Sequence, residues 1–206
     1  MPSRNIVKEF APESYYHVYN RGVEKRLIFL DDQDYTVFLG ILKKYLTGEA
    51  SNKQNRHIFK SFQGKISLLA YCLMPNHFHL LFYQSNEENI TDLMRRVCTG
   101  YVMYFNHRHQ RVGGLFEGIF RASRVDADGY LHHISRYIHL NPDDYKNWAY
   151  SSYSVYMGAK KTKWVNTEPI LGLFNNDRKE YQEFLDDYVD TKAELAILKH
   201  QLANDV

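Results

Sequence analysis

Hydrophobic and polar positions change period several times along the chain. Residues 15–21, YYHVYNR, are aromatic and branched and predict a strand. After Asp31 and Asp32, an acidic pair suited to a helix N-terminus, Tyr35, Phe38, Leu39, Leu42 and Leu46 recur at helical spacing. Residues 48–64 are polar and aperiodic and read as a loop or insertion. KISLLAYCL and HFHLLFY each predict a strand. The intervening MPN supplies turn residues, because proline pre-sets φ and asparagine tolerates turn conformations, so the two strands form a hairpin. Ile90, Leu93, Met94, Val97, Tyr101 and Phe105 predict an amphipathic helix over 90–109 that ends near Gly113 and Gly114. A short strand within 115–125 precedes a further helix, capped by Asp126 or Asp128, through GYLHHISRYIHL to Asn141 and Pro142.

This order of strand, helix, hairpin, helix, strand and helix predicts an α+β fold: a ferredoxin-like antiparallel sheet with helices on one face. The aromatic stretch NWAYSSYSVYMG and a charged helix around 177–203 follow, the latter belonging to a C-terminal helical extension. The chain thus divides into a domain over 1–158 and an acidic helical extension over 159–206.

At 206 residues and 44% hydrophobic content the chain can bury a sizeable core. No apolar run reaches membrane-spanning length, and MPSRNIVKEFAPES lacks the features of a secretory signal, so a cytoplasmic protein without a membrane partner is expected. Cys72 and Cys98 have no metal-ligand spacing and read as buried thiols. The net charge of +2 hides an uneven distribution. Between Leu93 and Val125, Arg95, Arg96, Arg108, Arg111, Arg121 and Arg124 face the single Glu117, a local +5; over 177–206, eight acidic residues face four basic ones, a local −4. The arginines, interleaved with Tyr101, Tyr104, Phe105, Phe116 and Phe120, suit phosphates and stacked bases, and a solvated helix face beside a core fits them equally.

In a strand, His77 and His79 point together, with Phe78, Leu80 and Phe82 on the other side, and such a pair can hold one ion. Core or surface histidines are the alternative. His107 and His109 share the spacing but fall at a helix end, where residues two apart splay. Two imidazoles are too few for a structural zinc site, so a third ligand and a reacting group must come from elsewhere. The helix carrying SRYIHLNP offers a stripe of Tyr130, His133 (or Ile134), Tyr137 and Asn141 beside Leu131, Ile134 and Ile138. Tyr137 and Asn141 share a side, although a packing role for Tyr137, one of 17 tyrosines, fits the pattern as well.

Several segments in order, YHVYNRGVEKRLIF, DYTVFLGIL, YCLMPNHFHLLF, GGLFEGIFRASRV, YLHHISRYIHLNP and WAYSSYSVYMG, together resemble the single-tyrosine HUH transposases, in particular the REP-associated tyrosine transposase branch. The resemblance covers about 15–158 and is carried by His77-Phe78-His79 and by Tyr137. It implies DNA cleavage and rejoining on single strands near hairpins, through a 5′-phosphotyrosine at Tyr137. It also implies that His77, His79 and Asn141 hold a divalent cation, Mg²⁺ or Mn²⁺; many relatives carry glutamine where this chain has Asn141. The partner would be single-stranded or hairpin DNA, met by the six arginines and by Phe116, and relatives act as monomers or homodimers. The chain departs from its relatives in 48–64, in Pro142-Asp143-Asp144 and in the acidic extension. The alternative reading is a noncatalytic, domesticated DNA-hairpin-binding protein.

Overall fold

The computed structural model describes residues 10–49, 60–125 and 130–188. The expected caps at Asp126 and Asp128, most of the 48–64 segment and the end of the 177–203 helix lie outside the described residues. In chain order the elements are β1 (Ser14–Arg21), α1 (Asp32–Thr47), β2 (Ile66–Met74), β3 (His77–Gln84), α2 (Asn89–Arg108), β4 (Arg121–Val125), α3 (Leu131–His139), α4 (Tyr153–Tyr156), α5 (Glu168–Leu171) and α6 (Arg178–Asp186). The strands form one antiparallel sheet in the order β2-β3-β1-β4, the ferredoxin-like arrangement expected.

Strand alternation sorts the core into two layers. Tyr16 and Val18 of β1, Phe78, Leu80 and Phe82 of β3 and Ala122 of β4 pack against Phe38 and Leu42 of α1 and Leu93, Val97 and Tyr101 of α2. The opposite face, with Cys72, Leu81 and Val125, packs against Leu131, Ile134 and Ile138 of α3 and against Tyr153, Tyr156, Ile170, Tyr181 and Leu185 of α4 to α6. Helices on one face therefore describes α1 and α2, while α3 and the C-terminal helices cover the second. Burial on both faces explains why β2 and β3 are nearly continuous apolar runs.

Local chemistry fixes the ends. Asp31 caps α1 by accepting from the backbone N–H groups of Gln33 and Asp34, at 3.0 and 3.2 Å. Buried Asp34 accepts from Arg108, Tyr104, His109 and the Leu30 N–H, locking the start of α1 to the end of α2. The β2 edge is covered by the chain at 148–152: Leu73 N–H donates to the Tyr150 carbonyl and Trp148 Nε1 to the Leu73 carbonyl, both at 2.9 Å.

A buried polar chain joins α3 to α6. His139 bonds the Tyr181 hydroxyl through Nδ1 at 2.8 Å and Ser152 Oγ through Nε2 at 2.7 Å; Tyr181 also bonds Ser135, and Ser152 Oγ accepts from the Tyr71 N–H. A neutral imidazole serves this chain with one donor and one acceptor nitrogen. Burial pulls the His139 pKa down to about 3, far below the unfolded value of about 6.5. The unfolded chain therefore binds a proton that the folded one refuses, so stability is complete above about pH 6.5 and falls as pH drops toward 3. His17, also held near 3 by burial, acts in the same direction. Equilibrium denaturant unfolding should lose about 2 kcal/mol per such histidine between pH 7 and pH 5. His139→Gln should be less stable at pH 7 with a shallower slope, and a flat wild-type profile over this window would contradict the assignment.

Candidate active site

The β1–β3 register sets Arg21 opposite His77, Tyr19 opposite His79 and His17 opposite Leu81. Alternation sends all five polar and aromatic residues to the face that α3 covers. On β4, Arg121 stands opposite Tyr19 and Ser123 opposite His17. Tyr137 of α3 meets His79 edge-on at 5.3 Å and His17 at 5.9 Å between ring centroids, and the His77 and His79 rings lie 5.0 Å apart. Tyr137 and His79 are buried, while His77 keeps partial access to solvent.

The turn before His77 is held by the chain that follows β1. Gly22 N–H donates to the Asn76 carbonyl at 2.9 Å and Ile28 N–H to the Pro75 carbonyl at 2.8 Å. Gly22 is required by closeness, since a Cβ there would lie 2.2 Å from the Arg26 carbonyl oxygen. Asn76 gives its Nδ2 to the Lys25 carbonyl, at 3.4 Å, which turns its Oδ1 toward His77 Nδ1 at 2.6 Å. His77 Nδ1–H is then the donor, and Nε2 of the neutral ring presents a lone pair.

That lone pair faces Asn141 Oδ1 at 3.0 Å. The Asn141 carboxamide is oriented by its bond to the Tyr137 hydroxyl, which lowers the phenol pKa, so its amide nitrogen is the group turned to Tyr137. Two acceptor atoms thus converge where a cation would satisfy both. Their separation suits neighbouring ligands of one octahedral ion, which stand about 3 Å apart for bonds of roughly 2.1 Å. Among the described residues no group of three His, Cys, Asp or Glu side chains gathers as a metal site, and the polar group beside His77 is the Asn141 carboxamide.

His79 Nδ1 bonds His17 Nε2 at 2.9 Å. When His79 is the donor, its own Nε2 is left as a lone pair. Tyr137 is strongly neutral: burial pushes its hydroxyl up to about 12 against the opposing Asn141 bond, with a further rise from Tyr19.

The structure brings together His77, His79, Tyr137 and Asn141. The remaining members of the expected stripe diverge: His133 bonds Arg136 at 2.9 Å and packs on Phe184, and Tyr130 is exposed. The arginines are scattered. Arg95 and Arg96 lie on α2, beneath the other sheet face, and bond Asp92. Arg108 is chelated by Asp31 and Asp34, a structural tie that spends its charge, and Arg111 bonds Asn106. Arg124, opposite Tyr16, alternates away from the histidines, and only Arg121 among the six shares their strand face. Phe116 meets Phe78 edge-on at 5.9 Å and packs, partly buried, against the α1/α2 core. His17, Tyr19 and Arg21 were not among the expected site residues. The alternation in YYHVYNR already put them on one strand face, but only the pairing of β1 with β3 makes it the histidine face.

A model of the IS200-like transposases matches residues 37–141, just over half of the chain. Among solved structures, the REP-associated tyrosine transposase bound to a REP hairpin aligns with a TM-score of 0.56 and 13% identity, over 80% of this chain and 92% of that one, a likeness of fold. A Deinococcus radiodurans R1 protein, provisionally described as a transposase, aligns with a TM-score of 0.39 and 18% identity over 67% of this chain and 95% of that one. No curated protein matches. No helix among the described residues is long and apolar enough to cross a membrane. Because the family match runs from α1 through the histidine hairpin to Asn141, the chain belongs to the IS200-like transposase family.

Proposed function

We propose that the protein cleaves and rejoins single-stranded DNA beside hairpins, with Tyr137 as nucleophile. The observation that carries this reading is the convergence of His77 Nε2 and Asn141 Oδ1, 3.0 Å apart, beside a tyrosine bonded to the same carboxamide. Family membership supports the DNA reaction, and the REP hairpin held by the protein of similar fold supports hairpin DNA as the partner class.

His77, His79 and Asn141 would hold Mg²⁺ or Mn²⁺, which when bound neutralises charge on a nonbridging oxygen of the scissile phosphate. Tyr137 Oη forms a bond to phosphorus as the bond from phosphorus to the 3′ oxygen breaks. The phenolic proton leaves to water and the 3′ oxygen gains one, giving a 5′-phosphotyrosine and a free 3′-OH. Asn141 Nδ2 donates to the developing phenolate, and α3 keeps the ring at the histidine face. Attack of another 3′-OH reverses the step, so joining needs no nucleotide cofactor.

Incubation with single-stranded and hairpin oligonucleotides from the flanks of the gene, with Mn²⁺ or Mg²⁺, should yield a denaturation-resistant protein–DNA adduct. Chelator should abolish it, and Tyr137→Phe should reduce it by at least about 1,000-fold. Tight binding without an adduct in the wild type would favour the noncatalytic hairpin binder.

The bond from His79 to His17 generates a second expectation, because outer partners fix the tautomer of a ligating imidazole. His17→Leu should weaken Mn²⁺ binding by about 10- to 100-fold in calorimetric titration. An unchanged affinity would remove His17 from the site.

A further inference from the structure

Arg21 closes β1 directly opposite His77, two residues beyond Tyr19, whose ring lies 5.9 Å from His79. Its side chain therefore projects to the histidine face. Glu117, in the loop before β4, receives both Nε and Nη2 on a single oxygen, Oε1, at 2.9 and 2.7 Å. The Glu117 N–H also donates to the Arg21 carbonyl, so side chain and backbone brace each other.

The arrangement differs from a bridge whose only task is to hold the loop. Such a fork would set two nitrogens against two carboxylate oxygens. Here Nη1 is buried and has no hydrogen-bond partner among the described residues, in a side chain only 14% exposed. A buried donor left unmade is costly, and such a group beside a reaction site calls for a ligand. The ligand must be an acceptor, and a permanently charged guanidinium favours an anion such as a phosphate.

We infer that Arg21, braced by Glu117, binds a nonbridging oxygen of the scissile phosphate through Nη1, completing an anion cradle with the His77–His79–Asn141 face. The inference rests on the proposed cleavage reaction and adds a residue to it. Glu117 holds the guanidinium in place through Nε and Nη2 and supplies no group to the phosphate itself. The same row of the sheet thus carries a donor for the phosphate at Arg21 and a lone pair for a cation at His77, one strand apart.

The test is single-turnover adduct formation by wild type, Arg21→Gln, Arg21→Lys and Glu117→Gln. Each is run on the phosphate oligonucleotide and on one with a methylphosphonate at the cleaved position, which removes one charged nonbridging oxygen. Arg21→Gln should slow the phosphate reaction on the order of 100-fold, and its penalty should shrink to a few-fold on the methylphosphonate, where the partner oxygen is missing. Arg21→Lys, which keeps the charge and loses the fork, should remain slow, and Glu117→Gln should show a smaller penalty. A merely structural role would slow both substrates equally, and that result overturns the inference, as does a wild-type rate for Arg21→Gln. If Arg21→Gln fails to fold, the same substrate comparison with Arg21→Lys and Glu117→Gln decides: no substrate-dependent penalty in either overturns it. A wild type that forms no adduct overturns the cleavage reading and this inference together, whereas a wild-type adduct with an undisturbed Arg21→Gln overturns only the latter.

Discussion

The antiparallel register between β1 and β3 is the constraint on which the site depends. With a side-chain period of two, a slip of one residue would send His77 and His79 into the α1/α2 core and bring Phe78 and Leu80 to the face of Tyr137. Phe78, Leu80 and Phe82, all fully buried, make that slip prohibitive. The same register aligns His17, Tyr19 and Arg21 with the histidines, so packing on one face of the sheet sets the chemistry on the other.

The tyrosine reaches that face because α3 is clamped from behind. Arg136, next in sequence to Tyr137, is stacked between Phe184 and Tyr188, with its guanidinium 4.2 and 3.6 Å from their ring centroids. The chain from Ser152 through His139 to Tyr181 fixes the following turn. Tyr181, Leu185 and Phe174 share a buried cluster with Leu131, Ile134 and Tyr137, so residues 168–188 position Tyr137. They do so as an apolar layer, whatever their acidic outer surface contributes.

Periodicity made the strands and helices of the sheet domain legible, because the apolar stripes of α1 and α2 and the hairpin around Pro75 and Asn76 are local patterns. Tyr137 and Asn141 were legible as an i, i+4 pair, although α3 ends at His139 and Asn141 stands just beyond its C-cap. The packing of α4 to α6 on the second sheet face was not, since no local pattern says which surface a short aromatic helix will cover. The arginines show the same limit: a count over Leu93–Val125 joins residues on α2 and β4 that the fold separates, and Asp31, Asp34 and Asp92, outside that window, bond Arg95, Arg96 and Arg108. Arg21 and His17 escaped notice because their meaning comes from a strand about sixty residues away, and pairing partners are a property of topology.

His77, His79 and Asn141 are proposed to form one cation site at the tyrosine. Anomalous diffraction from crystals soaked in Mn²⁺ tests it most directly. A single strong peak is expected at bonding distance, about 2.2 Å, from nitrogens of His77 and His79 and from the Asn141 oxygen, on the side that faces Tyr137. A crystal saturated with Mn²⁺ that shows no peak there, or one held by carboxylates elsewhere, would contradict it.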